Sequence, residues 1–204
     1  MKNRTLILPS CGYDSIPSDL SVYLSVRALK AHLGPDIEIG ESVSAHKLKG
    51  GPSQGTLSTT YTSLAEIPRD KARASMQDHY LSPAPGAPSP PLKLVYSLPH
   101  ASPPLTGAYF VMAQVNRSTI QRTRGLLEIS PPSMKSLRYG PKFTYDEFLV
   151  TKGSFASALM SFIIFSVGYC VTNFRLVSPL LPFLLLLYSN NKIAGSMGFQ
   201  AICR

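Results

Sequence analysis

The stretch TLILPSCGYDSIPSD, residues 5–19, decides the fold. Thr5 to Leu8 is a short apolar run of the kind that forms a buried strand. It leads into Cys11-Gly12-Tyr13-Asp14-Ser15, a turn-rich loop. Pro17 and Ser18 then open a helix, because proline suits a first helical turn and Asp19 complements the helix dipole there. Leu20, Leu24, Ala28 and Leu29 recur at helical spacing and give this helix an apolar stripe. Gly34-Pro35 stops it. A strand, a tight loop and a helix in succession point to an α/β or α+β fold.

Working outward, Asp36 to Lys47 alternates as a strand does, with Ile37, Ile39, Glu41, Val43 and Ala45 on one face. Glu41 is the discord on that face. It is either a site residue or a side chain at the strand's exposed edge. Gly50 to Thr56 and the Ser/Thr-rich residues up to Glu66 read as a loop feeding a helix N-terminus, where backbone N–H groups can hold an anion. The loop lacks the Gly-Lys-Ser/Thr ending of a P-loop and the three-glycine spacing of a dinucleotide fold. Residues 82–104 hold eight of the 18 prolines and read as an irregular loop or linker, with a short strand from Leu92 to Tyr96. Tyr109 to Met112 is apolar, Asn116 to Leu127 is helical, Pro131-Pro132 breaks that helix, and Tyr139 to Val150 is a further strand.

Composition limits the class of function. Charged residues make up 15% of the 204, against about 25% in ordinary soluble domains. So few surface-forming residues favour contact with a membrane or a partner. Lys and Arg number 20 against 11 Asp and Glu, a formal charge of +9, but the cations are scattered. They form either a basic solvated surface or an attraction for anionic headgroups and phosphorylated ligands. No helix-turn-helix, zinc or RNA-binding signature accompanies them, so nucleic acid is not the expected partner. Cys11, Cys170 and Cys203 fit no metal-ligand spacing, and their odd number argues against a disulfide scaffold and for a reducing compartment. His32, His46, His79 and His100 are spread out, and each reads as structural or surface. The N-terminal apolar run is shorter than the ~7–15 residues of a signal-peptide core.

From Gly153 to Phe174 no residue is charged, a run of 22 positions between Lys152 and Arg175. A bilayer-spanning helix needs about 20 mostly apolar residues. A second uncharged run goes from Leu176 to Tyr188. A single span, a monotopic hairpin in one leaflet or lipid-droplet monolayer, and a buried helix pair are the three readings. The membrane readings lead, since buried soluble helices rarely run so long without a charge. The chain thus divides into an α/β unit over 1–152, an apolar segment over 153–188 and a short tail over 189–204.

Four stretches resemble one family. CGYDSIPSD (11–19) is similar to the G-[FY]-D-S-[IV]-P-[SA]-D signature of saccharopine dehydrogenase-like oxidoreductases, a group related to the trans-acting enoyl reductases. QGTLS (54–58), Asn116-Arg117 with IQRTRGLL (120–127), and YGPKF (139–143) resemble its G-G-T, N-R-x-x-V-Q-R-S-W-G-L-L and Y-G-P-x-F segments. Order and spacing agree over roughly residues 5 to 175. Arg124 stands where the family has Trp, and the likeness fades after about Ser178.

This resemblance implies the second, substrate-side domain of a Rossmann-type oxidoreductase with a mixed sheet, followed by an apolar helical segment. It implies hydride transfer from NAD(P)H, with a lipid-related substrate as the expected class, and association with lipid droplets, mitochondria or the endoplasmic reticulum on the cytoplasmic side of a membrane. The family's glycine-rich dinucleotide turn lies well over a hundred residues before G-[FY]-D-S, and this sequence has no G-x-G-x-x-G. The expectation is an N-terminally truncated member that does not hold NAD(P) tightly by itself. The alternative is a non-catalytic protein of a membrane or lipid-droplet surface.

Candidate site residues follow. Gly12, Tyr13, Asp14, Ser15 and Asp19 would face nicotinamide or substrate in a complete relative; alternatively Asp14 and Ser15 cap the helix that begins at Pro17. Gly55 and Thr56 belong to the anion-compatible loop. Asn116, Gln121 and Arg122 can bind an acidic or carbonyl-bearing substrate, or form a solvated helix face. Tyr13 and Tyr139 can act as general acids or pack. No Ser-His-Asp or Cys-His pattern is visible, and no metal site is expected.

Overall fold

The computed structural model describes residues 11–12, 15–49, 66–173 and 196–203, with isolated positions between 55 and 63. The Thr5 to Leu8 run, Tyr13, Asp14, Thr56 and the second apolar run from 176 to 188 lie outside the described residues.

Helix α1 spans Ile16–Leu33 with its proline in the first turn. Its buried row is Ser18, Val22, Val26 and Lys30, four positions apart. This corrects the expected stripe: Leu20 and Leu24 are about half exposed, at 49% and 51%, and Ala28 is exposed. Polar ends hold the valine row in place. Ser18 reaches a buried carboxylate on the sheet, and the Lys30 ammonium donates to the Pro35 carbonyl at 3.0 Å. Val22 and Val26 then fill the core with Ile39, Ile120, Tyr139, Phe143 and Tyr145.

Strand β1 runs Glu41–Lys49, β2 Tyr96–Leu98, β3 Leu105–Tyr109, β4 Thr144–Val150 and β5 Ser196–Cys203, in the spatial order β2-β3-β4-β1-β5. The β1–β4 pair is parallel and the others are antiparallel, so the sheet is mixed, as expected for this fold class. Both strands that flank its middle begin later than the alternation suggested. Residues 37–40 form an extended lead-in tied to the segment before β4, with Ile39 N–H donating to Tyr139 and Thr144 N–H donating to Gly40, each at 2.8 Å. The short strand near residue 96 starts only after the prolines that cannot donate to a ladder.

Helix α2 is Arg69–Ser75, α3 is Ala113–Glu128, a 3-10 turn spans Pro132–Leu137, and α4 is Ser154–Asn173. The proline-rich segment lies pinned along α3 and is more ordered than a linker. Arg122 donates to Leu81 and Arg124 to Pro85, at 2.9 and 2.6 Å. Gln121 accepts from the His79 N–H and donates to Ser89. Gly125 permits the close approach, because a Cβ there would meet Pro83 Cδ at 2.8 Å.

Helix α4 packs on β3 through its serines. Ser157 and Ser161 are fully buried. Ser161 Oγ accepts from the Tyr109 N–H at 2.8 Å and donates to the Leu94 carbonyl at 2.7 Å. Phe155, Leu159 and Phe162 face outward at 83%, 50% and 63% exposure. Among the described residues no helix is long and apolar enough to cross a membrane. The expected transmembrane helix is therefore corrected: one face of α4 is already committed to protein through hydrogen bonds that a span set in lipid all round would not have.

Candidate functional site

Strand alternation sends neighbouring side chains of β4 to opposite faces of the sheet. Tyr145 and Glu147 point to one side, Asp146 and Phe148 to the other. The parallel register sets Ser44 beside Glu147 and Val43 beside Asp146. Each side therefore carries one buried acid, in two different settings.

On the α1 and α3 side, Glu147 has no solvent exposure. Its Oε2 accepts from Tyr145 Oη at 2.5 Å and from Ser18 Oγ at 3.4 Å, and lies 3.1 Å from His46 Nε2. Its Oε1 accepts from Asn116 Nδ2 at 2.8 Å. Where Glu147 is a carboxylate it only accepts, and His46 Nε2 is then the donor. Burial first, and then the neighbouring Glu147 charge, push the Tyr145 hydroxyl well above its ordinary 10.0. The cluster joins α1, β1, β4 and α3 in one network. It is sealed, and its first role is to hold these elements together.

On the other side, Asp146 is 4% exposed. Its Oδ1 accepts from Arg117 Nη2 at 3.2 Å and from the Glu147 N–H at 3.0 Å. Burial raises its carboxyl above the usual range, opposed chiefly by the Arg117 charge. Asp146 lines a hollow of about 240 Å³ with Glu41, Lys93, His100, Val43 and Phe148 among its walls. This is the place where Glu41, the discord of the alternating strand, comes to lie.

The candidates read from sequence are spread over the fold. Gly12 precedes α1, where its carbonyl accepts from the N–H groups of Ser15 and Ile16. Ser15 takes the N-cap position, but its side chain makes no capping hydrogen bond. Asp19 accepts from Thr123 Oγ1 at 2.8 Å, and burial raises its carboxyl, with the Thr123 bond acting the other way. Gly55 is an exposed helical position. Asn116 joins the Glu147 cluster. Gln121 is buried and clamps the proline-rich segment, which corrects the solvated-face reading for this residue; the cause is the strap of prolines laid over α3. Arg122 does stay exposed. Tyr139 is fully buried and packs on Phe143.

Sequence reasoning missed Tyr145, Asp146, Glu147 and His46. The available signal was a pair of adjacent acids inside an otherwise apolar strand, which alternation must place on opposite, mostly buried faces. Among the described residues no group of three or more His, Cys, Asp or Glu is placed to hold a metal ion.

A dinucleotide pyrophosphate needs glycine backbone in close approach at a helix N-terminus. A Cβ at Gly12 would meet nothing within 4 Å, so the start of α1 has no such cradle. Most of the Gly50 to Thr56 loop lies outside the described residues.

No protein-family model and no solved structure matches the chain. It is similar to two mycobacterial proteins. These come from two strains of Mycobacterium tuberculosis, bear the provisional name trans-acting enoyl reductase, and are each 31% identical over 172 residues. The match covers 79% of this chain and 39% of each relative, so the chain spans about two fifths of the length of the curated relatives it matches.

Proposed function

We propose that this chain is the substrate-side unit of an NAD(P)-linked oxidoreductase of the saccharopine dehydrogenase-like group, acting on a lipid-related substrate. The observation that supports the reading is the 172-residue likeness to the proteins named trans-acting enoyl reductases. The mixed sheet with helices α1 and α3 on one side agrees with such a unit. In this reading the nicotinamide cofactor is held by a separate dinucleotide-binding unit, since the sequence has no G-x-G-x-x-G and matches only 39% of each relative. The chain's own contribution is to bind and orient substrate.

The test has two arms. NADPH fluorescence titration of the purified chain should show no saturable binding in the micromolar range. A chimera in which this chain replaces the matching 172 residues of the mycobacterial relative should retain NADPH-dependent reduction. Micromolar binding by the chain alone, or a folded chimera that binds NADPH but reduces nothing, overturns the reading.

One observation favours a second reading, a non-catalytic protein seated on an anionic lipid surface such as a lipid droplet, mitochondrion or endoplasmic reticulum. Helix α4 turns its serines inward and its large apolar side chains outward. Leu92 and Leu94 are also exposed, and the Ser161 bond to the Leu94 carbonyl sets them beside α4. Exposed Lys93 and Lys152 flank this face, and α4 has no acidic residue. Apolar contact plus cations is the chemistry of an interfacial helix. The chain should pellet with vesicles containing phosphatidylserine and should lose most of that binding in Phe155→Ser/Phe162→Ser. Failure to pellet, or pelleting that survives the double substitution, removes this reading.

A further inference from the structure

We propose that the hollow between β1, β4 and the Lys93–His100 segment binds a small organic cation, an alkylammonium group held by Asp146 and Glu41. Both hydrogen bonds to Asp146 fall on Oδ1. Its Oδ2 takes none from any described residue, and it is not among the sealed, unpartnered polar atoms. A buried carboxyl that lines the hollow thus has one oxygen that accepts no hydrogen bond from any described residue. Vacant acceptors in such a setting favour a hydrogen-bond donor, and a charged donor most of all.

The walls fit one end of such a ligand to each feature. Glu41 supplies a second acidic group at the rim. Val43, Leu98 and Phe148 offer apolar contact for a short aliphatic chain, and Phe148 and Leu98 are themselves core residues. Lys93 lines the hollow and its charge acts on Asp146, but it is exposed, and among the described residues it forms no ion pair with either acid. An anion entering the hollow would meet two acids, against the single ammonium group of Lys93. Burial raises the Asp146 carboxyl, with the Arg117 charge, the Glu147 amide and the Lys93 charge acting the other way. At about 240 Å³ the hollow is below the roughly 300 Å³ lower end of drug-sized sites, which limits the ligand to a few carbons. The site stands whether or not the chain serves hydride transfer.

The probe is n-butylammonium, followed by amide shifts in ¹H–¹⁵N NMR spectra, with butyrate and n-butanol as controls. Saturable shifts confined to Val43, Lys93–His100 and Asp146 are expected for the amine, with millimolar affinity and no saturation by butyrate. Asp146→Asn should weaken binding by about tenfold or more, the size of one lost charge-assisted bond. Should that variant unfold, Glu41→Gln decides, since Glu41 is only partly buried at the rim. A two- to threefold loss, about the share of one partly screened charge, supports the site. Butanol binding as well as the amine, shifts located elsewhere, or unchanged affinity in a folded Asp146→Asn or Glu41→Gln overturns it.

Discussion

Asp146 and Glu147 are adjacent, acidic and almost equally buried, yet the two sides of the sheet treat them differently. Glu147 meets donors from three other elements and has no contact with water. Asp146 meets one arginine and one backbone amide, both on one oxygen, and lines a hollow. The difference follows from which elements cover each face. Helices α1 and α3 bring Ser18 and Asn116 onto Glu147, whereas Asp146 receives only Arg117 from α3 and otherwise borders the hollow lined by the irregular 93–100 segment. A buried acid with saturated acceptors is a fastener, and one with a vacancy is a candidate contact for a ligand.

The largest expected effect comes from breaking the sealed side. Glu147→Ala removes the acceptor of four donors and should lower stability by about 5 kcal/mol, a value reached only when several buried partners are orphaned together. Urea unfolding checks it, and Glu147→Gln, which keeps an acceptor oxygen and the volume, should cost about half as much. Arg117→Met leaves Asp146 buried without its cation and should cost about 3–5 kcal/mol; a loss below 1 kcal/mol would mean that water reaches Asp146 freely through the hollow. Asn116→Ala removes a single donor and should cost about 1–3 kcal/mol.

A smaller effect separates the faces by pH. Burial raises the Asp19 carboxyl above its ordinary 3.8, so the folded state holds the proton more tightly than the unfolded chain does. Its contribution is favourable at acid pH and is lost as pH rises from that ordinary value through the raised one. Asp146 has the same sign. Asp78 has the opposite sign: burial opposes ionisation, but the Ser89 and Gln121 bonds and the Arg117 charge outweigh it and lower the carboxyl. Asp19→Asn should flatten the fall in urea midpoint between acid and neutral pH without abolishing it. The smallest effect is at the rim, where Glu41→Gln should change stability by less than about 0.5 kcal/mol while altering amine binding.

The helix from Pro17, the helix from Asn116 and the strand ending at Val150 were legible because proline punctuation and apolar period are local signals. The face of α1 was not. Leu20 and Leu24 are the more apolar residues, but the sheet selects the row that carries Ser18, whose partner Glu147 lies 129 residues away, beyond any local window of sequence. Helix α4 was legible as a helix, but its protein-facing side was not, since Ser161 reveals its direction only against Tyr109 and Leu94. Of the site, Glu41 was visible as a break in alternation. Glu147 and His46 lie 101 residues apart, so their pairing is a property of the parallel register alone.

That register also orders events as the chain is made. Strand β1 is synthesised early, and both its neighbours, β4 and β5, come late. Until they arrive it has two unpaired edges, the condition under which nascent strands pair with the wrong partner. Its composition suits that wait. Ser42, Ser44, His46, Lys47 and Lys49 make it far less sticky than the usual interior strand, and the hydroxyls and imidazole that delay collapse line the face on which Glu147 later docks.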